Sequence, residues 1–166
     1  MLRPLEQFIC DECGDIINTP REGYVEWESE HLPDGREYCH GFRIVHAYFA
    51  SPKKDRHREG CYRYGNSEHR LDIDLDFFLR NAHQEMFSML DLGIYHDPEN
   101  HRGSSIQDYR EFVDFYKRLT IPYYEEARMY IAQAQQDGFI GGDENELYLY
   151  TPELLERIVR QYSVYP

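Results

Sequence analysis

The chain has 166 residues and a net charge of −13, with 41 % hydrophobic and 15 % aromatic residues. Its length suffices for one ordinary domain or two small ones, and its aromatic content allows a buried core, which argues against disorder. The negative charge argues against broad electrostatic attachment to nucleic acid, and no stretch approaches the roughly 20 apolar residues of a membrane helix.

The cysteines are the first informative feature along the chain. No apolar export segment precedes residue 10, so we expect a cytoplasmic protein whose thiols stay reduced. Cysteines at positions 10, 13, 39 and 61 are then metal ligands or core residues rather than disulfides. Cys10 and Cys13 form a Cys-x-x-Cys knuckle followed by Gly14. This spacing lets two thiolates reach one tetrahedral metal at a tight turn, which predicts a zinc knuckle.

A β-hairpin is predicted after the knuckle. Residues 24–29 alternate, with Val25 and Trp27 on one face, and residues 33–35 supply a Pro-Asp-Gly turn. Residues 42–49 are rich in β-branched and aromatic side chains and are predicted to form the second strand. This strand places on one face Phe42, Ile44, His46 and Tyr48.

Helical periodicity replaces strand alternation in the second half. Apolar residues of the span 74–92 form the stripe of an amphipathic helix. Residues 104–107 have capping-box spacing and predict a second helix. The stripe assigned to that helix consists of Ile106, Tyr109, Val113 and Tyr116.

The last part of the chain predicts a helix, a hairpin and a final helix. Pro122 opens the first helix and Gly138 closes it, residues 139–150 form a short hairpin, and Thr151-Pro152 starts the last helix. This order over residues 72–163 resembles a winged-helix arrangement. The fold class is therefore α+β, with a zinc-binding β-hairpin module (1–68) packed on a helical, winged-helix-like domain (69–166).

A tetrahedral zinc site requires two ligands besides Cys10 and Cys13. The candidates are Cys39, His40, His46, His57 and Cys61. His57 and Cys61 have a permitted ligand spacing, but they lie in a strongly charged stretch. His46 lies on an apolar strand face, where its ring nitrogens need partners, and either a metal or ordinary hydrogen bonds would satisfy them.

A resemblance narrows this choice. Three segments of the chain resemble small bacterial proteins of uncharacterised function. They are the Phe-Ile-Cys-x-x-Cys-Gly opening, the segment 23–27 and the Phe-Arg-Ile-Val-His strand that ends at His46. The resemblance covers the first third of the chain and implies no activity. It favours one structural zinc ion held by Cys10, Cys13, His46 and Cys61, with His57 or Cys39 as replacements.

The sequence supports a catalytic or redox site less well than a structural zinc site. A redox Cys-x-x-Cys is expected at a helix start in a βαβ pattern, whereas this one precedes a hairpin. Asp72, Asp74 and Asp76 fail the calcium-loop template, because Phe77 stands where that template requires glycine. A Cys61 nucleophile with His57 or His69 as base lacks a recognisable nucleophile turn. We therefore expect a protein without enzymatic activity.

The remaining functional hypotheses concern binding of nucleic acid or of another protein. Reading of DNA by residues 123–136 is disfavoured, since Arg128 is their only cation and the following hairpin tip is acidic. The segment 53–70 is locally basic and could contact phosphate or an acidic partner through Lys53, Lys54, Arg56, Arg58 and Arg63. The sequence best predicts a zinc-stabilised adaptor that binds another protein, with a basic protein as the candidate partner. The alternatives are a nucleic-acid-associated regulator using segment 53–70 and an acidic mimic of nucleic acid.

Overall fold

The computed structural model describes residues 1–33, 37–53, 60–62, 70–90, 104–141 and 146–165. Within these ranges the strands are β1 (Phe8–Ile9), β2 (Ile16–Ile17), β3 (Gly23–His31), β4 (Glu37–His46) and β5 (Arg70–Asp74), with a short 3-10 turn at Pro20–Glu22. The helices are α1 (Leu75–Met89), α2 (Tyr109–Thr120), α3 (Tyr124–Ala127), α4 (Ile131–Gln136), α5 (Glu146–Leu149) and α6 (Pro152–Tyr162). The predicted α+β class is confirmed. No helix in these ranges is long and apolar enough to cross a bilayer.

Two antiparallel sheets occupy the first half. β1 pairs with β2 around the knuckle, and a three-stranded sheet has the order β4-β3-β5. The predicted hairpin is confirmed as the β3–β4 pair, although β4 ends at His46 and leaves Tyr48 beyond the strand. The predicted turn falls largely on residues 34–36, which lie outside the described residues.

A β-bulge in β4 turns Phe42 toward the helices. The β3–β4 register runs from Glu26 opposite Arg43 to Glu28 opposite His40, so β4 has one extra residue here. Gly41 adopts a left-handed φ of 66°, which glycine accepts without steric cost. The Phe42 ring lies 5.0 Å from that of Phe115, centroid to centroid. The bulge therefore helps join the sheet to α2.

The first predicted helix is confirmed. The prediction for the second helix is wrong about the residue at which it begins and about the face that is buried. α1 buries Leu75, Phe78, Ala82 and Met89, as its stripe predicts. α2 begins after Asp108, whose carboxylate accepts the amide hydrogens of Arg110 and Glu111, so residues 104–107 do not cap it. Its buried residues are Phe112, Phe115, Arg118 and Leu119. Tyr109 and Val113, assigned to the apolar face, are exposed.

The winged-helix detail is not confirmed. The hairpin predicted over residues 139–150 is wrong, because Glu146–Leu149 forms a helical turn; residues 142–145 lie outside the described part of the chain. The single helix expected after Pro122 is two short helices, α3 and α4, and the final helix α6 is confirmed.

In the described part of the chain, two hydrophobic clusters fill the interior. The first combines the knuckle, the larger sheet, α1 and α2, and extends from Phe8 to Leu119. The second lies among α3, α4 and α6 and includes Leu154, Leu155 and Ile158. β5, just after the expected boundary at residues 68 and 69, pairs with β3. The division into domains 1–68 and 69–166 stays a prediction.

Replacing Phe115 by alanine tests which face of α2 is buried. Phe115 is 2 % exposed and Val113 is 43 % exposed. Phe115→Ala should lower the free energy of unfolding by about 3–5 kcal/mol, because it leaves a cavity in the first cluster. Val113→Ala should change it by less than about 0.5 kcal/mol. Urea denaturation followed by circular dichroism measures both values, and equal losses would contradict this assignment of the buried face.

Candidate metal centre

Four potential metal ligands from three parts of the chain converge beside β1 and β2. The Cys10 and Cys13 sulfurs, one ring nitrogen of His46 and the Cys61 sulfur all lie within 4.8 Å of one another. A tetrahedral zinc ion with bonds of about 2.0–2.3 Å separates its ligand atoms by about 3.3–3.8 Å. Cys13 Sγ and His46 Nδ1 are 3.5 Å apart, within this range. These residues are close enough to hold one metal ion, and the donor set fits zinc.

The knuckle is a tight turn between β1 and β2. The Gly14 amide donates to the Cys10 carbonyl at 2.8 Å, and the Cys10 amide donates to the Asp15 carbonyl at 3.0 Å. Gly14 has φ 78°, so the glycine after the second cysteine takes a conformation that L-residues rarely adopt. The Cys-x-x-Cys pair therefore lies in an α-turn, closed by the bond from residue 14 to residue 10. It does not lie at the helix start that a thioredoxin-like redox pair requires.

His46 is oriented for metal binding through Nδ1. Its Nε2 lies 3.3 Å from the Ile16 carbonyl oxygen. A carbonyl only accepts hydrogen bonds, so the proton belongs on Nε2 and the Nδ1 lone pair faces Cys13. Ligating histidines commonly fix their tautomer in this way, with the other nitrogen bonded to a carbonyl or carboxylate.

Cys61 is held by Ser51. The Ser51 hydroxyl donates to Cys61 Sγ at 3.2 Å, and the Cys61 amide donates back to that hydroxyl at 3.0 Å. Gly60 has φ 52°, and a β-carbon there would stand 2.8 Å from the Ser51 oxygen. The close approach of these segments requires glycine at position 60. Cys61 is fully buried, which disfavours the nucleophile hypothesis.

Burial dominates the electrostatics of the thiols. It raises the pKa of Cys10 above its ordinary value and raises the pKa of Cys13 to about 12. Cys10 and Cys13 therefore favour the thiol form unless a bound cation stabilises their thiolates.

Acidic residues inside the knuckle tie it to the rest of the molecule. Asp11 accepts the Ile44 amide at 2.7 Å and the Arg118 guanidinium at 2.8 Å. Glu12 pairs with Arg43 at 2.7 Å and with Lys53 at 3.1 Å. The two residues between the cysteines thus bind β4, α2 and the segment that leads to Cys61.

Arg118 is the central cation of this arrangement. It is 4 % exposed, and it also contacts both carboxylate oxygens of Glu125, at 2.6 and 3.0 Å. Burial lowers its pKa, but the carboxylates of Glu125 and Asp11 outweigh that effect and raise it above its ordinary value. Glu125 also accepts the Ile9 amide at 2.9 Å. This network holds α2 and α3 against β1.

The remaining sequence candidates lie elsewhere or outside the described residues. Cys39 is buried near the other end of β4, where its amide donates to the Ser105 carbonyl, and His40 contacts Glu30. Lys53 is paired with Glu12, whereas the other candidates fall on residues outside the described ranges; these are Lys54, Arg56, His57, Arg58, Arg63 and His69.

The sequence pattern does not predict which charged side chains are buried. Glu26 is fully buried in β3 and pairs with Arg70 at 3.0 Å, although strand alternation places it on the exposed face. Arg118 lies three residues after Phe115, and that spacing is its only sequence signal. Glu125 and Glu126 carry no signal that distinguishes them from surface glutamates.

Comparisons with protein-family models, with curated proteins and with solved structures gave no match. The described residues define a Cys3His cluster that is close enough to hold one metal ion.

Removal of the Arg118 charge tests the network. Arg118→Leu should lower the free energy of unfolding by about 3–5 kcal/mol, because it removes both short contacts to the buried Glu125 carboxylate, which then keeps only the longer ion pair with Arg128 at 3.6 Å. Adding Glu125→Gln should recover part of this loss, since the amide oxygen still accepts the Ile9 amide and no buried charge remains unpaired. Urea denaturation of both single variants and the double variant measures the coupling, and additive losses would contradict the pairing.

Proposed function

We propose that this chain is a non-enzymatic, zinc-stabilised adaptor or regulatory protein that acts in the cytoplasm by binding another protein. One structural zinc ion is held by Cys10, Cys13, His46 and Cys61. The convergence of these side chains is the observation that carries the proposal.

A structural role for the metal follows from the donor set. Three cysteines and one histidine complete a tetrahedral shell, whereas catalytic zinc sites have three protein ligands and an open position for water or substrate. Cys10, His46 and Cys61 are buried and Cys13 is partly buried. Such a centre contributes directly to folding.

Exposed aromatic residues beside the centre supply a contact surface for the partner. Tyr48 is 48 % exposed and Phe49 is 65 % exposed, directly after the ligand His46. The Ala50 amide donates to the Ala47 carbonyl at 3.0 Å and closes the turn that carries them. Aromatic side chains dominate the energetics of protein interfaces. The net charge of −13 favours a basic partner.

Binding of nucleic acid through segment 53–70 has less support. The Lys53 ammonium contacts both the carboxylate and the backbone carbonyl of Glu12, at 3.1 and 2.9 Å. A paired cation contributes less to phosphate binding than a free one, because its counter-charge remains in place. Mimicry of nucleic acid is a version of the protein-binding proposal, and competition by DNA for the partner would identify it.

Metal analysis of the protein purified without a metal-affinity tag tests the zinc site. We expect about one zinc per chain, lost in Cys10→Ser and Cys61→Ser, because each variant removes a thiolate ligand. Cys39→Ala is the matched control: Cys39 is also buried but lies outside the cluster, so its zinc content should stay that of the wild type.

Cobalt titration keeps this test valid if a serine variant fails to fold. Protein stripped of metal should take up Co²⁺ with the absorption bands of a tetrahedral thiolate site and should regain a cooperative thermal transition. A wild type without zinc that binds no Co²⁺ would overturn the structural site.

The adaptor role is tested through Phe49. Affinity capture with quantitative mass spectrometry first identifies candidate partners, and direct titration with the purified candidate then measures binding. Phe49→Ser should weaken that binding at least tenfold, about 1.4 kcal/mol, while zinc content stays unchanged because the side chain is exposed. Phe87→Ser, at an exposed aromatic residue of α1, is the control and should bind as the wild type does. Equal binding by Phe49→Ser would contradict this surface.

A further inference from the structure

A cleft lies on the side of α2 that faces away from the first hydrophobic cluster. Its volume is about 380 Å³, within the range of small-molecule sites. α2 forms its floor, and tyrosines from α3 and from the end of α5 form its wall. The lining residues are Tyr109, Arg110, Val113, Asp114, Lys117, Tyr124 and Tyr150.

The described lining of this cleft contains two cations and one carboxylate. Arg110 and Lys117 are two helical turns apart on α2, and neither has a carboxylate within 4 Å among the described residues. The neighbouring Arg118, by contrast, contacts two carboxylates. Unpaired cations on a chain of net charge −13 are suited to an anionic ligand.

Asp114, the acidic residue of the lining, already has a hydrogen-bond donor and a cation as partners. It accepts the Tyr124 hydroxyl hydrogen at 2.5 Å and lies 4.0 Å from the Arg128 guanidinium. This carboxylate makes no ion pair with Arg110 or Lys117 among the described residues, and against these two cations it leaves the described lining with one net positive charge.

Ring faces provide the apolar part of the cleft. The Lys117 ammonium lies 3.4 Å above the Tyr150 ring centroid, a cation–π contact that keeps its charge inside the cleft. Tyr124 packs edge-to-face against Tyr150 at 5.7 Å. Tyr109 is 55 % exposed and Val113 43 % exposed, so both leave apolar surface open to a ligand. A planar ring can stack on an exposed tyrosine in such a position.

We propose that this tyrosine cleft binds a small anion that carries a planar ring, of the nucleoside-phosphate class. Arg110 and Lys117 hold the phosphate through charge-assisted hydrogen bonds, and the base lies against Tyr109 and Val113. The site is independent of the zinc centre and of the protein-binding surface at Tyr48 and Phe49.

Titration of the zinc-containing protein with adenosine monophosphate, followed by NMR and calorimetry, tests the proposal. Adenosine monophosphate should bind at least tenfold more tightly than either adenosine or inorganic phosphate, because each of these lacks one half of the recognised chemistry. Lys117→Gln and Arg110→Gln should each weaken binding about tenfold. Tyr109→Ala should weaken it similarly, whereas Tyr109→Phe retains the ring and the affinity.

Arg160→Gln is the matched charge control, since Arg160 is an exposed arginine of α6 outside the cleft. It should bind adenosine monophosphate as the wild type does. No binding at millimolar concentration, or unchanged affinity in both Lys117→Gln and Arg110→Gln, would overturn the proposal. Tighter binding of a poly-glutamate peptide than of adenosine monophosphate would also overturn it, because the cleft would then serve an acidic protein segment.

Discussion

The packing of α2 and α3 against the knuckle depends on the contact of Arg118 with Glu125 and Asp11. Arg118 is 4 % exposed, and burial of a charge is costly unless partners replace its water. Those partners come from α3 and from the knuckle, so the guanidinium is satisfied only when α2, α3 and β1 are assembled together. Once they are assembled, loss of Arg118 leaves Glu125 and Asp11 with only the longer ion pairs to Arg128, at 3.6 and 3.8 Å. The network therefore specifies one packing of the helices on the knuckle.

The metal centre and this network position each other through the knuckle. Asp11 exchanges two hydrogen bonds with the backbone of Ile44, and His46 follows two residues later on β4. The His46 amide in turn lies 3.4 Å from Cys10 Sγ. The thiols and the imidazole are thus brought together by the hydrogen bonds that join the knuckle to β4. A metal ion held by this donor set would add its binding free energy to the stability of the fold.

The sequence predicts features set by local spacing and misses those set by packing. The knuckle depends on Cys10, Cys13 and Gly14, and His46 lies on the buried side of a regular strand, so three of the clustered side chains follow from local patterns. The buried face of α2 does not, because apolar residues occupy two of its faces and contact with Phe42 selects Phe112 and Phe115. Residues 147–150 alternate like a strand, yet Glu146–Leu149 is helical and Tyr150 packs on Tyr124. Asp11 is distant from Arg118 in sequence and Glu125 lies on the next helix, so the periodicity of α2 cannot reveal either partner.

α2 connects the two candidate sites through adjacent residues. Lys117 faces the tyrosine cleft, whereas Arg118 faces the knuckle. Rotation of α2 about its axis would pull Arg118 from Glu125 and Asp11, and these buried ion pairs oppose it. Arg110 and Val113 are therefore held at the cleft by contacts on the opposite side of the same helix. The contacts of Arg118 with Glu125 and Asp11 therefore determine which residues of α2 face the tyrosine cleft.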